Sequence, residues 1–572
     1  MQNFYYQSEL NNLRHLADEF AQRNPALAPL LGSGSASDPD VERLLEGVAF
    51  LTGMVRQRLD DEFPEFVQEL AQLLYPQYLQ PLPCMTLLQF APRTALSQTQ
   101  TIDTGCEVAS VPIDGHRVSF RSTMPVDLEP VTLTGARWEG GTSDSRCLVL
   151  DLALTIAPND FKADSLTFYL GDTFSEACAL LRLLDQHVRE IRIQGEGQPI
   201  TLLSANHIQP CGFDREHALL PYPDAAHPAY RGLQEYFALP EKFLFVRLSG
   251  LQRWRHRGEH TRMSVKLVFD KVPSWAPSIT ENSFMLGVTP AVNLFTQDAH
   301  PLRVDHRQPE YRIQPANQSQ RQRQRLRIHS VLSVSAYSGT GNEKTLKPFH
   351  TIYQRDAFNL RIRQGSNDPR DYEHFISLPY VDRQSPEDLT LSISLLCTDG
   401  PLPESLHPGD LNQPMDNTPA RVTLRNIRGI TPCHPPKYQD RLLWRMLSQL
   451  NANHFKLLDA EYLKSLLKLY LPSADEGGQD ANNRRINGIE KVFATQERRF
   501  INGLPIEGTV VRLECRGDHF LGAGGLYLFG VVLDEFFAGS VALNSFVALN
   551  LYDSVNQETL AWPAKIGRQR LL

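Results

Sequence analysis

The sequence predicts an α+β, multi-domain protein, and three observations carry that reading. Helical periodicity gathers near the two ends of the chain, strand-like alternation runs through the middle, and 572 residues leave room for roughly four domain-sized units. The expected order is N-terminal helical, bundle-forming arms over 1–83, β-rich sandwich- or barrel-like modules over 84–435, and a mixed helix and strand part over 436–572.

Residues 4–23 place Tyr6, Leu10, Leu13, Ala17 and Phe20 on one helical face, and Asn24-Pro25 ends the run. GSGSAS at 32–37 is a flexible connector; no strand precedes it and no Gly-Lys-Ser/Thr follows, which argues against a phosphate cradle. Asp38 then caps a helix that opens on Pro39, with Asp40 and Glu42 in its first turn. Val41, Leu44, Leu45, Val48, Leu51, Val55 and Leu59 recur at three- and four-residue steps until Phe63-Pro64, predicting one long helix with Leu44 and Leu51 in the interior. Phe66, Val67, Leu70, Leu73 and Leu74 write a second helix, closed by Tyr75-Pro76.

The first of these two helices carries a second apolar patch. Phe50 and Met54 are expected nearly opposite the main stripe at about 100° per residue. Gly47 and Gly53 sit in the helix interior, where each costs up to about 1 kcal/mol relative to alanine, a cost that close approach of another backbone explains. The helix is expected to pack on two sides, both filled by this chain's own helices or one of them by a partner's.

After Pro83 alternation takes over. CLVLDLALTI at 147–156, MSVKLVFD at 263–270, LRIHSV at 326–331, LSISLL at 391–396 and RVTLRNI at 421–427 read as half-buried strands of antiparallel modules. SEACALLRLLDQ at 175–186 and the region 230–239 read as short helices between them. Near residue 438 helices return and run to Pro472, and PSADEGGQDANN at 472–483 reads as a polar surface loop. In the tail VVRLE, LYLFGVVL and SFVALNLY read as strands, the glycine group at 522–525 as a turn, and a short helix carries the Phe-Phe pair.

Composition bounds the function. With 41% hydrophobic and 21% charged residues and a net charge of −8, nothing demands nucleic acid or an anionic membrane as partner. Eight scattered cysteines without a C-x-x-C pair, and no signal peptide before Tyr5, point to reduced thiols in a cytoplasm. The apolar run Leu526–Leu533 is cut by Asp534-Glu535 long before it would span a bilayer. In RQRQRLRIHS at 321–330 a strand would turn Arg321, Arg323, Arg325 and Arg327 to one face, where the charges are solvated, paired within the chain, or docked on an acidic protein surface.

Chemistry is thinly written. There is no H-E-x-x-H, G-x-S-x-G or strand-borne G-x-G-x-x-G; His256 with His260, and His207 with Cys211 and His217, lack a ligand spacing; Asp60-Asp61-Glu62 project in different directions. No catalytic residue, cofactor or metal is therefore expected.

Several blocks resemble, in order, the TssF family (VasA or ImpG) of type VI secretion baseplate subunits: YYQSEL at 5–10, DPDVERLLEGVAFLTGMVRQRLDDEFPE at 38–65, LLYPQYLQPLP at 73–83, LLPYPD at 219–224, LQEYFALPEKFLF at 233–245, TPAVNLF at 289–295 and LNSF at 543–546. CTDGPLP at 397–403 and the stretch 475–483 depart from the pattern. The resemblance implies a structural wedge component joining the contractile tail to the envelope complex, cytoplasmic and docked at the inner membrane through the baseplate. It implies as partners TssG, with two TssF copies to one TssG and hence a second copy of the chain, together with TssK, TssE and the VgrG hub and sheath. Gly47, Phe50, Met54 and the four arginines are the candidate partner-facing residues, and the segments 76–83 and Thr431–Pro436 the candidate hinges. The alternatives are a β-rich hydrolase or carbohydrate-binding enzyme, which a deep polar pocket would favour, and a stand-alone binding module.

Overall fold

The computed structural model describes residues 2–23, 40, 43–55, 70–71, 76–140, 146–222, 228–316, 326–338, 343–348, 356–365, 371–379, 389–419, 421–436, 459–471, 476–501, 503–541 and 543–567. The chain divides into two compact units, 1–74 with 438–447, and 75–437 with 448–572. An α+β, multi-domain architecture is borne out.

In the first unit α1 spans Gln2–Arg23, with Leu10 buried and Tyr6, Leu13 and Ala17 half-buried. Helix α2 runs over 43–55, and 70–71 are helical within the second predicted arm, whose remainder, like GSGSAS and Asp60-Asp61-Glu62, lies outside the described residues. The expectation that Leu44 and Leu51 are interior is overturned: they are 68% and 60% exposed, and the covered side of α2 is Ala49 and Gly53 with Leu45 half-buried. Small residues let a neighbour come close, so the contact runs along the thin side of the helix and leaves its bulky stripe outside.

The second unit is built from sheets whose strands come from distant parts of the chain. A six-stranded sheet is ordered Leu411–Pro414, Glu107–Ser110, Ser119–Ser122, Val288–Val292, Met85–Pro92, Val422–Asn426. Its buried face, with Cys84, Leu88, Phe90, Val108, Phe120 and Val422, forms one core. A five-stranded sheet runs Thr201–Ser204, Val188–Gly195, Arg262–Phe269, Cys147–Leu154, Val131–Glu139, and a three-stranded one Ile208–Cys211, Phe245–Ser249, Ser165–Tyr169. The predicted alternation of 147–156 holds, since Leu148, Leu150, Leu152 and Leu154 are all buried. An eight-stranded sheet centred on Arg327–Ser338 and Leu389–Thr398 has its own core around Val334, Ile376 and Ile393.

Helices α3 (Phe174–Gln186) and α4 (Pro228–Ala238) lie where the sequence puts them. Thr173 caps α3, its Oγ1 accepting from the Glu176 amide at 3.4 Å and donating to Glu176 Oε2 at 3.1 Å. Toward the end come α5 (Ala460–Leu469) and α6 (Glu476–Asn487). The latter corrects the polar loop expected over 472–483. Its polar composition hides tertiary anchors: Ile486 is fully buried, and Arg484 Nη2 donates to the Asp518 carbonyl at 2.9 Å.

The tail holds the larger correction. LYLFGVVL is no strand but the centre of α7 (Gly522–Gly539), and the glycines at 522–525 open that helix. Its apolar residues continue all round, as suits a helix enclosed by α3, α4 and the strand Ser545–Asp553, and such a run has no amphipathic period to read. A Cβ on Gly524 would collide with the backbone of Ala179 in α3, and one on Gly530 with the Trp562 ring, so these glycines set how closely α7 is gripped. Helix α7 links Leu504–Cys515 to Ser545–Asp553, which pair in parallel, the helix supplying the crossover that a parallel pair needs.

Both candidate hinges are pinned within this unit. Leu82 and His434 exchange backbone hydrogen bonds at 3.0 and 2.9 Å, the Met85 amide donates to Thr431 Oγ1 at 2.9 Å, and Thr86 Oγ1 donates to the Arg428 carbonyl at 3.0 Å.

Candidate interaction surface

Helix α2 is too long and too regularly apolar to be exposed for propensity alone. At about 100° per residue Leu44, Val48, Leu51 and Val55 form one stripe, Phe50 and Met54 a second, and Gly47 falls between them, so the uncovered apolar arc spans roughly 160°. Phe50 is 53% exposed and Met54 46%. Gly47 has nothing within 4 Å of where a Cβ would stand, so the close neighbour that the sequence suggested at Gly47 is not another described part of this chain. Thr52, at one margin of the arc, donates its Oγ1 back to the Val48 carbonyl at 2.8 Å, and Arg43, at the N-terminal end of the arc, pairs with Asp40 at 3.3 Å. An exposed apolar face of this breadth marks an interaction site in a folded protein.

The arginine run divides differently from its sequence reading. Arg321, Arg323 and Arg325 lie outside the described residues, and Arg327 opens the strand Arg327–Ser338 with only 17% of its side chain exposed. Its Nε meets Asp371 Oδ1 at 3.2 Å, so at this position the acidic answer is intramolecular. Ile328 is buried, as alternation requires.

The histidine and cysteine groups do not converge. His207 Nδ1 lies 3.0 Å from Ser204 Oγ, the Cys211 thiol is buried and pushed up to about 12, and buried His217 has Nδ1 3.6 Å from Asp214 Oδ2. Desolvation lowers the pKa of His217, against the pull of Asp214. His256 and His260 sit exposed in a loop beside buried Trp254, whose ring carries the Arg257 guanidinium at 5.4 Å. Among the described residues no group of three or more His, Cys, Asp or Glu is arranged to hold a metal, and none of the eight cysteines is in a disulfide. Among the described residues, too, no helix is long and apolar enough to cross a membrane.

One exposed apolar feature escaped the sequence reading. Strands Ile489–Ile501 and Leu504–Cys515 form a long hairpin that runs past the start of Ser545–Asp553, and its tip presents Phe500, 79% exposed, and Leu504. The dipeptide Asn502-Gly503 between apolar neighbours is a hairpin signal that would have found it, and Gly503 has the left-handed φ of +80° such a turn needs.

A chain that combines an uncovered helical arc with β modules has the build of a structural protein made to assemble with others. A family profile described as Type VI secretion system, TssF matches residues 2–569. The TssF1 component of the type VI secretion system of Pseudomonas aeruginosa is 30% identical, with 98% of each chain covered. The chain belongs to the type VI secretion system TssF family and is a structural component of the baseplate. A chain in the TssK-TssF-TssG baseplate subcomplex seen by cryo-electron microscopy superposes with a TM-score of 0.77 at 26% identity, over 93% of this chain and 99% of that one. A chain in a second structure, of a type VI baseplate complex, shares the fold with a TM-score of 0.64 at 23% identity over the full length of both.

Proposed function

We propose that this chain is a baseplate wedge subunit whose α2 completes a helical bundle with other chains, first among them a TssG-type subunit. The observation that carries this is the apolar arc of α2, with Phe50 and Met54 on one flank, the Leu44 stripe on the other and Gly47 between them. Buried against partner helices, each such side chain contributes about 1.5–3 kcal/mol before the cost of association. The partner set is TssG and TssK, with TssE and the VgrG hub and sheath beyond them, and two copies of this chain to one TssG. Arg321, Arg323 and Arg325 are reserved for an acidic partner surface, while Arg327 stays with Asp371. The work is structural, without turnover, cofactor or metal, in a cytoplasmic particle held at the inner membrane through the baseplate. Family membership does not favour the β-rich hydrolase or carbohydrate-binding enzyme.

Co-expression with the TssG-type subunit tests the reading. Phe50→Asp is expected to leave the melting temperature of the isolated chain nearly unchanged and to abolish co-purification; because Leu44 and Leu51 are exposed, Leu51→Asp should behave alike. A Phe50→Asp chain that unfolds, or one that still captures its partner at wild-type yield, refutes it.

A further inference from the structure

A cleft of about 480 Å³ opens inside the second unit, lined by parts of Met85–Pro92, Val126–Leu128, Val131–Glu139 and Ser165–Tyr169 together with the segment Glu281–Val288. That volume falls in the range of about 300–1,000 Å³ typical of ligand sites. Its walls are sheet margins: Val131–Glu139 is the outer strand of the five-stranded sheet, and Ser165–Tyr169 the outer strand of the three-stranded one.

The margin at Ser165–Tyr169 is a ladder begun and then abandoned. Tyr169 exchanges both backbone hydrogen bonds with Met285, at 2.8 and 2.9 Å. In an antiparallel ladder every second residue bonds to the same side, so Thr167 and Ser165 aim their N–H and C=O groups the way Tyr169 does, away from Phe245–Ser249. The chain after Met285 does not meet them. At Gly287, φ +72°, it turns off: the Gly287 carbonyl accepts from the Phe90 amide at 2.7 Å, and Val288 pairs with Gln89. A Cβ at Gly287 would collide with the Phe90 carbonyl, so glycine is what lets the strand leave. Among the described residues, nothing takes up the Thr167 backbone groups at the point where the cleft opens.

We propose that this cleft takes an extended segment of a partner chain as an added strand on the Ser165–Thr167 margin. Only extended backbone offers alternating donors and acceptors at the strand repeat of about 3.3 Å per residue that such a margin requires. Met124, Leu128 and Leu286 line the cleft for the segment's inward side chains, while Arg247 and Arg425 against Asp127 and Glu281 give the lining both signs. The segment therefore alternates apolar and polar residues, and its capture depends little on ionic strength.

The choice of source, a TssG-type subunit, rests on the baseplate reading, so the probes are overlapping ten-residue peptides tiled along the TssG-type subunit of the same system, offered to the full chain. One window or more should be captured, with amide exchange at Thr167 slowed at least about tenfold in its presence. Thr167→Pro, which removes an outward-facing N–H from a margin strand where proline is tolerated, should weaken capture by about tenfold. Phe50→Asp should leave it unchanged. If Thr167→Pro does not fold, exchange at Thr167 in the unaltered chain decides alone. No captured window, capture without slowed exchange at Thr167, or capture lost with Phe50→Asp would each overturn the proposal. A chain that captures no peptide yet loses its TssG-type partner through Phe50→Asp refutes the cleft and keeps the bundle; the reverse pattern keeps the cleft alone.

Discussion

His329 and His374 are buried in the eight-stranded module, 1% and 3% exposed, and desolvation holds them neutral, His329 down to about 3 and His374 to about 4. In the unfolded chain both protonate near pH 6.5. Between that pH and about 4 the unfolded state binds more protons, so the contribution of these two residues to stability is intact above about 6.5 and falls as acid is added. His374→Phe should therefore cost most at pH 7.5 and progressively less toward pH 5 when melting temperatures are compared by calorimetry; a difference that ignores pH would exclude this account. Lys242 and Glu235 present a second buried cost. They pair with side chains 0% and 1% exposed, and Glu235 Oε1 also accepts from the Leu219 amide at 2.8 Å. Burial pulls the Lys242 pKa down and the Glu235 charge opposes it. Lys242→Met leaves a buried carboxylate unanswered and should lose about 3–5 kcal/mol in urea denaturation; adding Glu235→Gln should recover much of that, since the remaining amide still accepts from Leu219.

Among the elements α7 is the most demanding. Gly530→Ala drives a methyl into the Trp562 ring, itself stacked on Tyr527 at 5.6 Å, and should destabilise by about 1–3 kcal/mol, with Trp562→Leu in the same chain restoring part of the loss. Gly524→Ala meets backbone in α3, which cannot give way as a side chain can, so no second-site truncation should rescue it in thermal melts. The same helix shows what could be read from the sequence. Strands such as Cys147–Leu154 were legible because one face is buried and one half-open, and α3 because Thr173 and Glu176 write its start. Helix α7 was not: burial on every side erases its period, and Gly524, read locally as part of a turn, and Gly530, read within a strand, are there to let α3 and Trp562 approach. α6 was illegible for the opposite reason, since in a polar stretch its anchors are the single buried Ile486 and the bond from Arg484 to the Asp518 carbonyl, which lies beyond the next two strands. At the candidate surface Phe50 and Met54 were legible as an extra apolar patch, but the sequence placed the Leu44 stripe inside because a helix wheel reports which faces leave water and not which neighbour covers them. The open margin at Thr167 depends on one glycine turning a strand more than a hundred residues downstream, and no local pattern announces it.

For the whole molecule, two copies around one asymmetric TssG-type subunit would have to occupy non-equivalent places. Because Leu82, Met85, Thr431 and His434 are bonded to one another, the segments 82–86 and 428–434 should move with the β modules, and any pivot should lie outside them. In a structure of the assembled wedge, residues 82–436 of the two copies should superpose closely while whole chains do not; copies identical over their full length would contradict this. The six-stranded sheet also fixes an order of events during synthesis. Met85–Pro92 pairs with Val288–Val292 and with Val422–Asn426, the latter more than three hundred residues downstream. At about 5–20 residues per second the ribosome needs roughly 15 to 70 s to supply that last neighbour. Throughout that interval a stretch containing Leu87, Leu88 and Phe90 has one side of its ladder empty, exposed to every other nascent chain nearby. A baseplate subunit built in this order is thus most vulnerable to its own kind before it is finished, and the rate at which it is made bears on how much of it survives to assemble.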